Sequence, residues 1–180
     1  MSASADLIRH PVTGCDPVRR IGVEISRASD ALTLSYRIDG EVSRLSMPVA
    51  GPAQRADGLW QHSCFEAFLL ADGGESYLEF NFSPSGAWAA YRFNARRKGR
   101  ESPGLTAPRM EVRHGPDWLA MNIQLSLTGI AEFAPPATIS AGLSAVIEDA
   151  RGSLSYWALA HGASPPDFHD PATFTLRLPA

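Results

Sequence analysis

Residues 59–86, LWQHSCFEAFLLADGGESYLEFNFSPSG, combine aromatic and hydrogen-bonding side chains at a spacing that could form a binding surface. Trp60 and Glu66 fall in the first half of this stretch, and Glu79 and Asn81 fall in the second. Carboxylates accept hydrogen bonds from hydroxyl groups, an amide both donates and accepts, and an indole face packs on C–H surfaces. This combination suits a neutral polyhydroxylated ligand such as a sugar or a polyol.

Two strands joined by the turn ADGGE are predicted to carry these residues, because both halves are rich in aromatic residues. Side chains alternate between the faces of a strand, so Leu78, Phe80 and Phe82 mark the face that packs on the core. The opposite face carries the binding candidates, namely Trp60, His62, Glu66, Glu79, Asn81 and Arg92. A solvated outer face is the plain alternative, although such faces more often use Lys, Thr and Ser.

The rest of the chain also predicts strands, because 14 Pro and 15 Gly leave few windows long enough for helices. Alternating apolar patterns predict about ten strands, including a hairpin formed by 31–40 and 43–49. Closely spaced strands with short polar turns are typical of an antiparallel sandwich or jelly roll. We therefore expect an all-β fold, a single antiparallel β-sandwich domain over residues 1–180.

Charge and composition argue against several classes of partner. The formal net charge is -3, which provides no general attraction for nucleic acid or for an anionic membrane. No apolar stretch approaches the ~20 residues of a membrane span. The first 14 residues lack the pattern of a secretory signal. We therefore expect a cytoplasmic protein with no nucleic-acid or membrane partner, in which Cys15 and Cys64 are reduced.

Catalysis and metal binding have weaker support in the sequence. Glu66 and Glu79 could form the carboxyl pair of a glycosidase, but no pocket that would raise the pKa of either is evident, so catalysis is not expected. The segment HGASPPDFHDP could hold a divalent cation through His161, Asp167, His169 and Asp170, or calcium through Asp167 or Asp170. An Asp beside Pro is more typical of a turn, and we expect no metal site.

Three stretches resemble the DOMON-like proteins related to family 9 carbohydrate-binding modules: RADGLWQHSCFEAFLL, YLEFNFSPSGAWAAYRF and SYWALAHGASPPDFHDPATFTLRL. The resemblance implies a jelly-roll type β-sandwich whose relatives hold sugars or haem. It implies that Trp60 stacks on a sugar and that Glu66 accepts hydrogen bonds from its hydroxyls. Glu79 stands where that family often has an arginine. The family's second stacking aromatic comes from a late loop, where Trp157 and Phe168 are the candidates.

These patterns together predict a non-catalytic domain that binds a small sugar or polyol on an exposed sheet face. The predicted ligand-binding residues are Trp60, Glu66, Glu79, Asn81, Arg92 and Trp157. No cofactor is expected, although the resemblance leaves open a haem held by Met and His side chains. A protein-interaction module without a small ligand is the other alternative, and free sheet edges also allow a homodimer.

Overall fold

A computed structural model describes residues 2–162 and 165–180 of the chain. These residues form the strands β1 (Ser2–Asp6), β2 (Ile8–Arg9), β3 (Val18–Ala28), β4 (Ala31–Gly40), β5 (Gln54–Arg55), β6 (Cys64–Ala71), β7 (Tyr77–Phe82), β8 (Ala87–Phe93), β9 (Arg109–His114), β10 (Trp118–Ser126), β11 (Ile139–Glu148), β12 (Leu154–Ala158) and β13 (Leu176–Leu178). Short 3-10 helices lie at Val42–Arg44, Leu59–Gln61, Ala131–Phe133 and Pro171–Thr173. The described residues include no helix with the length and apolar character needed to cross a bilayer.

Two sheets pack face to face. The first sheet has five strands in the order β1-β3-β4-β10-β9. The second has eight, in the order β2-β12-β11-β6-β7-β8-β5, with β13 paired to β11. Every pairing is antiparallel except the short parallel contact between β5 and β8. The predicted antiparallel β-sandwich is therefore confirmed, while its jelly-roll character stays a prediction.

The core between the sheets follows the two-residue period of the strands. Phe65, Phe80 and Phe82 are fully buried there, as the alternation in residues 59–86 predicts. On the opposing sheet, the Tyr36 ring packs on Phe65 with centroids 4.9 Å apart, and its hydroxyl donates to the backbone oxygen of Glu66 at 2.7 Å. On its core side, the sheet that carries the binding candidates is therefore held to the other sheet by apolar packing and by a buried hydrogen bond.

The predicted hairpin between 31–40 and 43–49 is wrong. Strand β4 pairs with β3 and β10 instead, and the chain after Gly40 turns away into the 3-10 helix at Val42–Arg44. The backbone N–H of Gly40 donates to the carbonyl of Asp117 at 2.9 Å. Residues 43–49 have the alternating apolar pattern of a strand. However, Pro48 has no N–H to donate to a sheet ladder, and Val49 is exposed.

The predicted strand over 59–70 begins later, at Cys64. Gly58 adopts a left-handed backbone (φ 76°), which favours glycine, and it starts the 3-10 helix at Leu59–Gln61. Trp60 therefore lies on a turn beside the sheet rather than within a strand. His62 also lies outside the strand, and its exposed ring contacts Glu148 through Nδ1 and Oε2 at 2.8 Å.

Candidate ligand-binding site

The binding candidates on β6 and β7 share the outer face of the eight-stranded sheet. Glu66 lies directly opposite Asn81, and Glu79 lies between Phe68 on β6 and Tyr91 on β8. Because opposed residues project to the same side of a sheet, the predicted common face of Glu66, Glu79 and Asn81 is confirmed. Their part in ligand binding stays a prediction.

A cleft of about 430 Å³ opens on this face, with both carboxyl groups in its floor. That volume falls in the ~300–1,000 Å³ range of small-molecule sites. Glu66 is only 3% exposed, Glu79 is 5% exposed and Asn81 is 0% exposed. Carboxyl groups are rarely buried so deeply without a specific reason, so this face differs from an ordinary solvated one.

Glu66 is the slightly more buried of the two carboxyl groups. Its Oε2 accepts a hydrogen bond from Ser144 Oγ at 3.3 Å. Burial raises the pKa of Glu66 well above its usual value, and the nearby charge of Glu79 raises it further. The expectation that neither carboxyl lies in a desolvating pocket is therefore wrong. Glu66 keeps its proton to a higher pH than an ordinary glutamate.

Glu79 accepts a shorter hydrogen bond than Glu66 does. The Nδ2 of Asn81 donates to Glu79 Oε1 at 2.6 Å, and the Oδ1 of Asn81 accepts from the buried Cys64 thiol at 3.5 Å. Burial raises the pKa of Glu79, while the Asn81 hydrogen bond and the charges of Arg100 and Arg97 act in the opposite direction. Glu79 is therefore the more easily ionised carboxyl of the two.

Aromatic side chains form the walls of the cleft: Trp60, Tyr91, Phe93, Tyr156 and Phe168. Trp60 meets the ring of Tyr91 edge to face, with centroids 6.0 Å apart and the planes at 75°. The Tyr91 hydroxyl donates to Asp57 Oδ1 at 2.7 Å, and Arg55 donates to the same oxygen at 3.0 Å. These contacts hold the indole beside the carboxyl floor.

The segment 165–175 contributes Pro166, Phe168 and His169 to the lining of the cleft. His169 packs edge-on against Phe68 and Phe93, with centroids 5.2 and 5.0 Å away. Its Nδ1 contacts the Tyr77 hydroxyl at 2.8 Å, and its Nε2 lies 3.7 Å from Glu79 Oε2. Burial, with the charge of Arg97 second, lowers the pKa of His169 to about 4. The imidazole is therefore neutral at physiological pH.

Two arginines from the run ARRKGR (95–100), Arg97 and Arg100, line the mouth of the cleft. The Arg100 guanidinium lies 5.1 Å from the centroid of the Tyr91 ring. Arg97 has a left-handed backbone (φ 57°), and its N–H donates to the Tyr77 hydroxyl at 3.2 Å. Its side chain also pairs with Asp167 at 2.9 Å. Two guanidinium groups therefore line the same cleft as the two carboxyl groups.

The predicted place of Arg92 on the cleft face is wrong. Arg92 lies opposite Leu78, so it projects to the core side of the sheet. There, near the edge of the sandwich, it pairs with Glu132 and Glu101. The alternate residues of β8, including Tyr91, face the cleft instead.

Trp157, predicted as a ligand-binding aromatic residue from a late loop, lies in strand β12 and does not face the cleft. Trp157 is buried in the core between the sheets, where its Nε1 donates to Ser155 Oγ at 3.0 Å. Its neighbour Tyr156 faces the cleft, as does Phe168, the other late aromatic candidate. The phase of β12 is set by its pairing with β11, in which Trp157 opposes the core residue Ala145.

The acidic residues of the late loop are engaged in local structure. Asp167 pairs with Arg96 and Arg97, and Asp170 accepts from the backbone N–H of Ala172 at the start of a 3-10 helix. Across residues 2–162 and 165–180, no three His, Cys, Asp or Glu side chains are placed to hold a metal ion.

Gly142→Ala is expected to destabilise the apolar packing of Phe174 against the sheet. A Cβ at this position would lie 2.5 Å from Cδ1 of Phe174, whose ring stacks on Phe68 with centroids 5.6 Å apart. Such overpacking costs about 1–3 kcal/mol. Urea denaturation should show this loss in Gly142→Ala but not in Gly104→Ala, where an added Cβ meets nothing within 4 Å. Equal stabilities of the two variants would contradict the expected close contact.

Solved structures of carbohydrate-binding proteins share this fold. The chain superposes with a TM-score of 0.71 on a candidate carbohydrate-binding protein from Bacteroides uniformis, at 14% identity, over 99% of this chain and 85% of that one. It superposes with a TM-score of 0.53 on a family 9 carbohydrate-binding module from Caldicellulosiruptor kristjanssonii in complex with glucose, at 11% identity, over 89% and 75% of the two chains. The same family's complex with cellotriose gives a TM-score of 0.53 at 11% identity, over 93% and 82%.

At these identities the likeness establishes the fold. The expected β-sandwich of the family 9 carbohydrate-binding type is therefore confirmed, and the link to DOMON-like proteins stays a prediction. No protein-family model matches the chain, and no curated protein matches it.

Proposed function

We propose that the cleft binds a small sugar or polyol. The observation that carries this proposal is the pairing of a buried carboxyl floor with aromatic walls in one cleft. Carboxyl groups exchange hydrogen bonds with hydroxyls, and aromatic rings pack on the C–H faces of a sugar ring. The fold neighbours solved with glucose and with cellotriose support the same class of ligand.

Each residue of the cleft has a separate part in this proposal. Trp60 packs on the ring of the sugar, while Glu79 accepts hydrogen bonds from its hydroxyls. Glu66, which keeps its proton more readily, both donates and accepts. Asn81 is fully buried and its amide already contacts Glu79 and Cys64, so it orients Glu79 rather than touching the ligand.

A thermal-shift screen followed by calorimetry tests the proposal. The panel contains hexoses, pentoses and alditols, each added to the purified protein at a range of concentrations. A ligand at 100 times its Kd stabilises the fold by about 2.7 kcal/mol. A saturable shift with at least one sugar or polyol is expected. If no compound of the panel shifts the Tm, the cleft is not a sugar site.

Trp60→Ala is expected to weaken sugar binding by about tenfold, because a stacking contact contributes up to about 1.5 kcal/mol beyond its buried area. Calorimetric titration of the sugar that binds best measures the change. Trp118→Ala is the matched control, since Trp118 lies on β10 in the other sheet. Equal affinities in the two variants would mean that the ligand does not contact Trp60.

The other expectations drawn from the sequence stay predictions: a cytoplasmic location, a homodimer and the haem alternative. An absorbance scan of the purified protein tests for haem, since a bound haem gives a Soret band. Size-exclusion mass measured at several protein concentrations tests for the dimer.

A further inference from the structure

The two carboxyl groups in the cleft floor are close neighbours on adjacent strands. Glu66 lies opposite Asn81, and Glu79 is two residues from Asn81 on the same strand. Glu66 and Glu79 are therefore diagonal neighbours, a relation that places Cβ atoms about 7–8 Å apart or somewhat less. Both side chains project to the same side of the sheet and line the same cleft. One ring of a bound sugar can lie over both.

Their surroundings differ in a way that separates their chemistry. Glu66 is the more deeply buried and has one long hydrogen bond, from Ser144 at 3.3 Å. Glu79 receives a short hydrogen bond from the Asn81 amide at 2.6 Å, which stabilises its charged form. Neighbouring titratable groups whose environments separate them in this way form an acid and a base. Glu66 is the acid of the pair, and Glu79 is the base.

The other charged and titratable groups around the pair are consistent with Glu66 as the acid and Glu79 as the base. Arg97 and Arg100 line the cleft above the floor and favour an ionised Glu79. His169 lies 3.7 Å from Glu79, and burial together with Arg97 keeps it neutral. Behind the floor, burial raises the pKa values of the Cys64 thiol and the Tyr36 hydroxyl, so neither is charged near neutral pH. Beside Glu79, burial also raises the pKa values of Tyr77 and Tyr91.

We propose that the cleft interconverts the α and β anomers of a reducing sugar bound in it, with Glu66 as the acid and Glu79 as the base. This inference rests on the proposed function, because it requires that a reducing sugar binds. It adds an activity to binding and leaves the composition of the sugar unchanged.

The reaction needs only proton transfers that these two residues can supply. The Glu79 carboxylate takes the proton of the anomeric hydroxyl, and the electrons of that O–H bond form the carbonyl at C1. The bond from C1 to the ring oxygen breaks, and its electron pair stays on that oxygen, which takes a proton from Glu66. After rotation about the C1–C2 bond, the same transfers run backwards and close the ring on the other face of the carbonyl. No oxidant, reductant or second substrate is consumed.

The arrangement suits anomer interconversion better than glycoside hydrolysis. Hydrolysis uses carboxyl groups that flank the scissile bond, so that water or a nucleophile attacks the anomeric carbon from the face opposite the acid. Glu66 and Glu79 instead project side by side from one sheet face. The anomeric hydroxyl and the ring oxygen are bonded to the same carbon, so one edge of a sugar ring presents both atoms to both carboxyl groups.

The test follows freshly dissolved crystalline α-D-glucose, with galactose, mannose and xylose in parallel, in dilute buffer near pH 7. Proton NMR records the anomeric signals over time, and calorimetry measures binding of the same sugars. The expected result is a rate of approach to equilibrium that rises linearly with protein concentration. Loss of one general acid or base typically costs about 10²–10⁴-fold in rate. Glu66→Gln and Glu79→Gln should each lower the rate at saturating sugar by about a hundredfold or more.

Glu111→Gln is the matched control, because Glu111 is exposed on β9 of the other sheet and should leave the rate unchanged. Glu66→Gln should still bind sugar, since an amide also donates and accepts, so the loss is in kcat rather than in affinity. A sugar that binds without any acceleration overturns the catalytic inference and leaves the proposed binding function standing. If none of the four sugars binds, the catalytic inference is overturned, and the wider panel of sugars and alditols decides the proposed binding function. If both Gln variants keep the full rate, the assignment to Glu66 and Glu79 is wrong.

Discussion

Glu79→Gln is expected to weaken sugar binding by between about tenfold and a hundredfold. Hydrogen bonds to a charged group contribute about 1.5–3 kcal/mol, and each 1.4 kcal/mol is a factor of ten in affinity. The hydrogen bond from Asn81 and the charges of Arg97 and Arg100 favour the ionised form of Glu79. Calorimetric titration of wild type and variant at pH 7, with the sugar that binds best, measures the loss.

The same substitution is expected to stabilise the free protein at neutral and higher pH. Burial raises the pKa of Glu79 in the folded state above its unfolded value near 4.5. The folded state therefore holds the proton more tightly, and stability is lost as the pH rises through the pKa of the folded state. A glutamine side chain at this position has no charge to bury, so the variant escapes this loss. Single stabilising substitutions commonly contribute about 0.5–2 kcal/mol, and we expect a gain in this range.

Tm values at several pH values between 4 and 8 separate this effect from the other titrating groups. The difference between Glu79→Gln and wild type should be small near pH 4 and should grow as the pH rises. Asp167, whose pKa is lowered, contributes to both proteins and cancels in the difference. Glu66 and His169 lie close to Glu79, so the change in their interactions with it is part of the measured difference. Glu111→Gln should show no such trend. A difference that is constant with pH would mean that Glu79 does not change protonation on unfolding.

The faces of β6 and β7 are predictable from the sequence because one face of each strand has an obvious apolar set. Phe80 and Phe82 mark the core side of β7, and the two-residue period then places Glu79 and Asn81 on the other side. The same period places Glu66 beside Asn81 once the hairpin turn is recognised. Local alternation was therefore sufficient for the floor of the cleft.

Alternation was not sufficient for β8 and β12, because both faces of these strands are mostly apolar. In β8, Ala90 faces the core and Tyr91 faces the cleft, and both are buried. A charged residue such as Arg92 then looks like the outward one, although it projects to the core side at the sandwich edge and pairs with Glu132. Trp157 became a candidate through the family resemblance, as an aromatic residue of a late loop, but it lies in strand β12. Only pairing with a strand of known phase resolves such cases.

The burial of the two carboxyl groups was not predictable from the strands that carry them. It arises from chain segments far away in the sequence: the arginines at 97 and 100 and the segment 165–175, which supplies Phe168 and His169. These contacts depend on loops without a regular period. The depth of the cleft, and with it the separation of Glu66 from Glu79 in acidity, is a tertiary property.

Arg27→Met is expected to have the largest effect on stability, a loss of about 3–5 kcal/mol. Arg27 is 4% exposed at the end of β3, and its guanidinium donates to three backbone carbonyls. The acceptors are Phe133 O at 2.5 Å, Ala137 O at 2.6 Å and Leu178 O at 3.2 Å. Methionine fills similar space without donors, and each buried acceptor left unsatisfied costs about 1–3 kcal/mol.

The loss should reach the cleft as well as the global fold. The carbonyl of Leu178 belongs to β13, which follows the cleft-lining segment 165–175 and is tied to β11 by only three residue pairs. Urea denaturation measures the global loss, and hydrogen exchange should show faster opening at 165–178 than elsewhere. Arg37→Met, in which an exposed arginine of the neighbouring strand β4 is replaced, is the control and should stay near wild type. If Arg27→Met is also as stable as wild type, the three carbonyls find other donors and β13 is held by strand pairing alone.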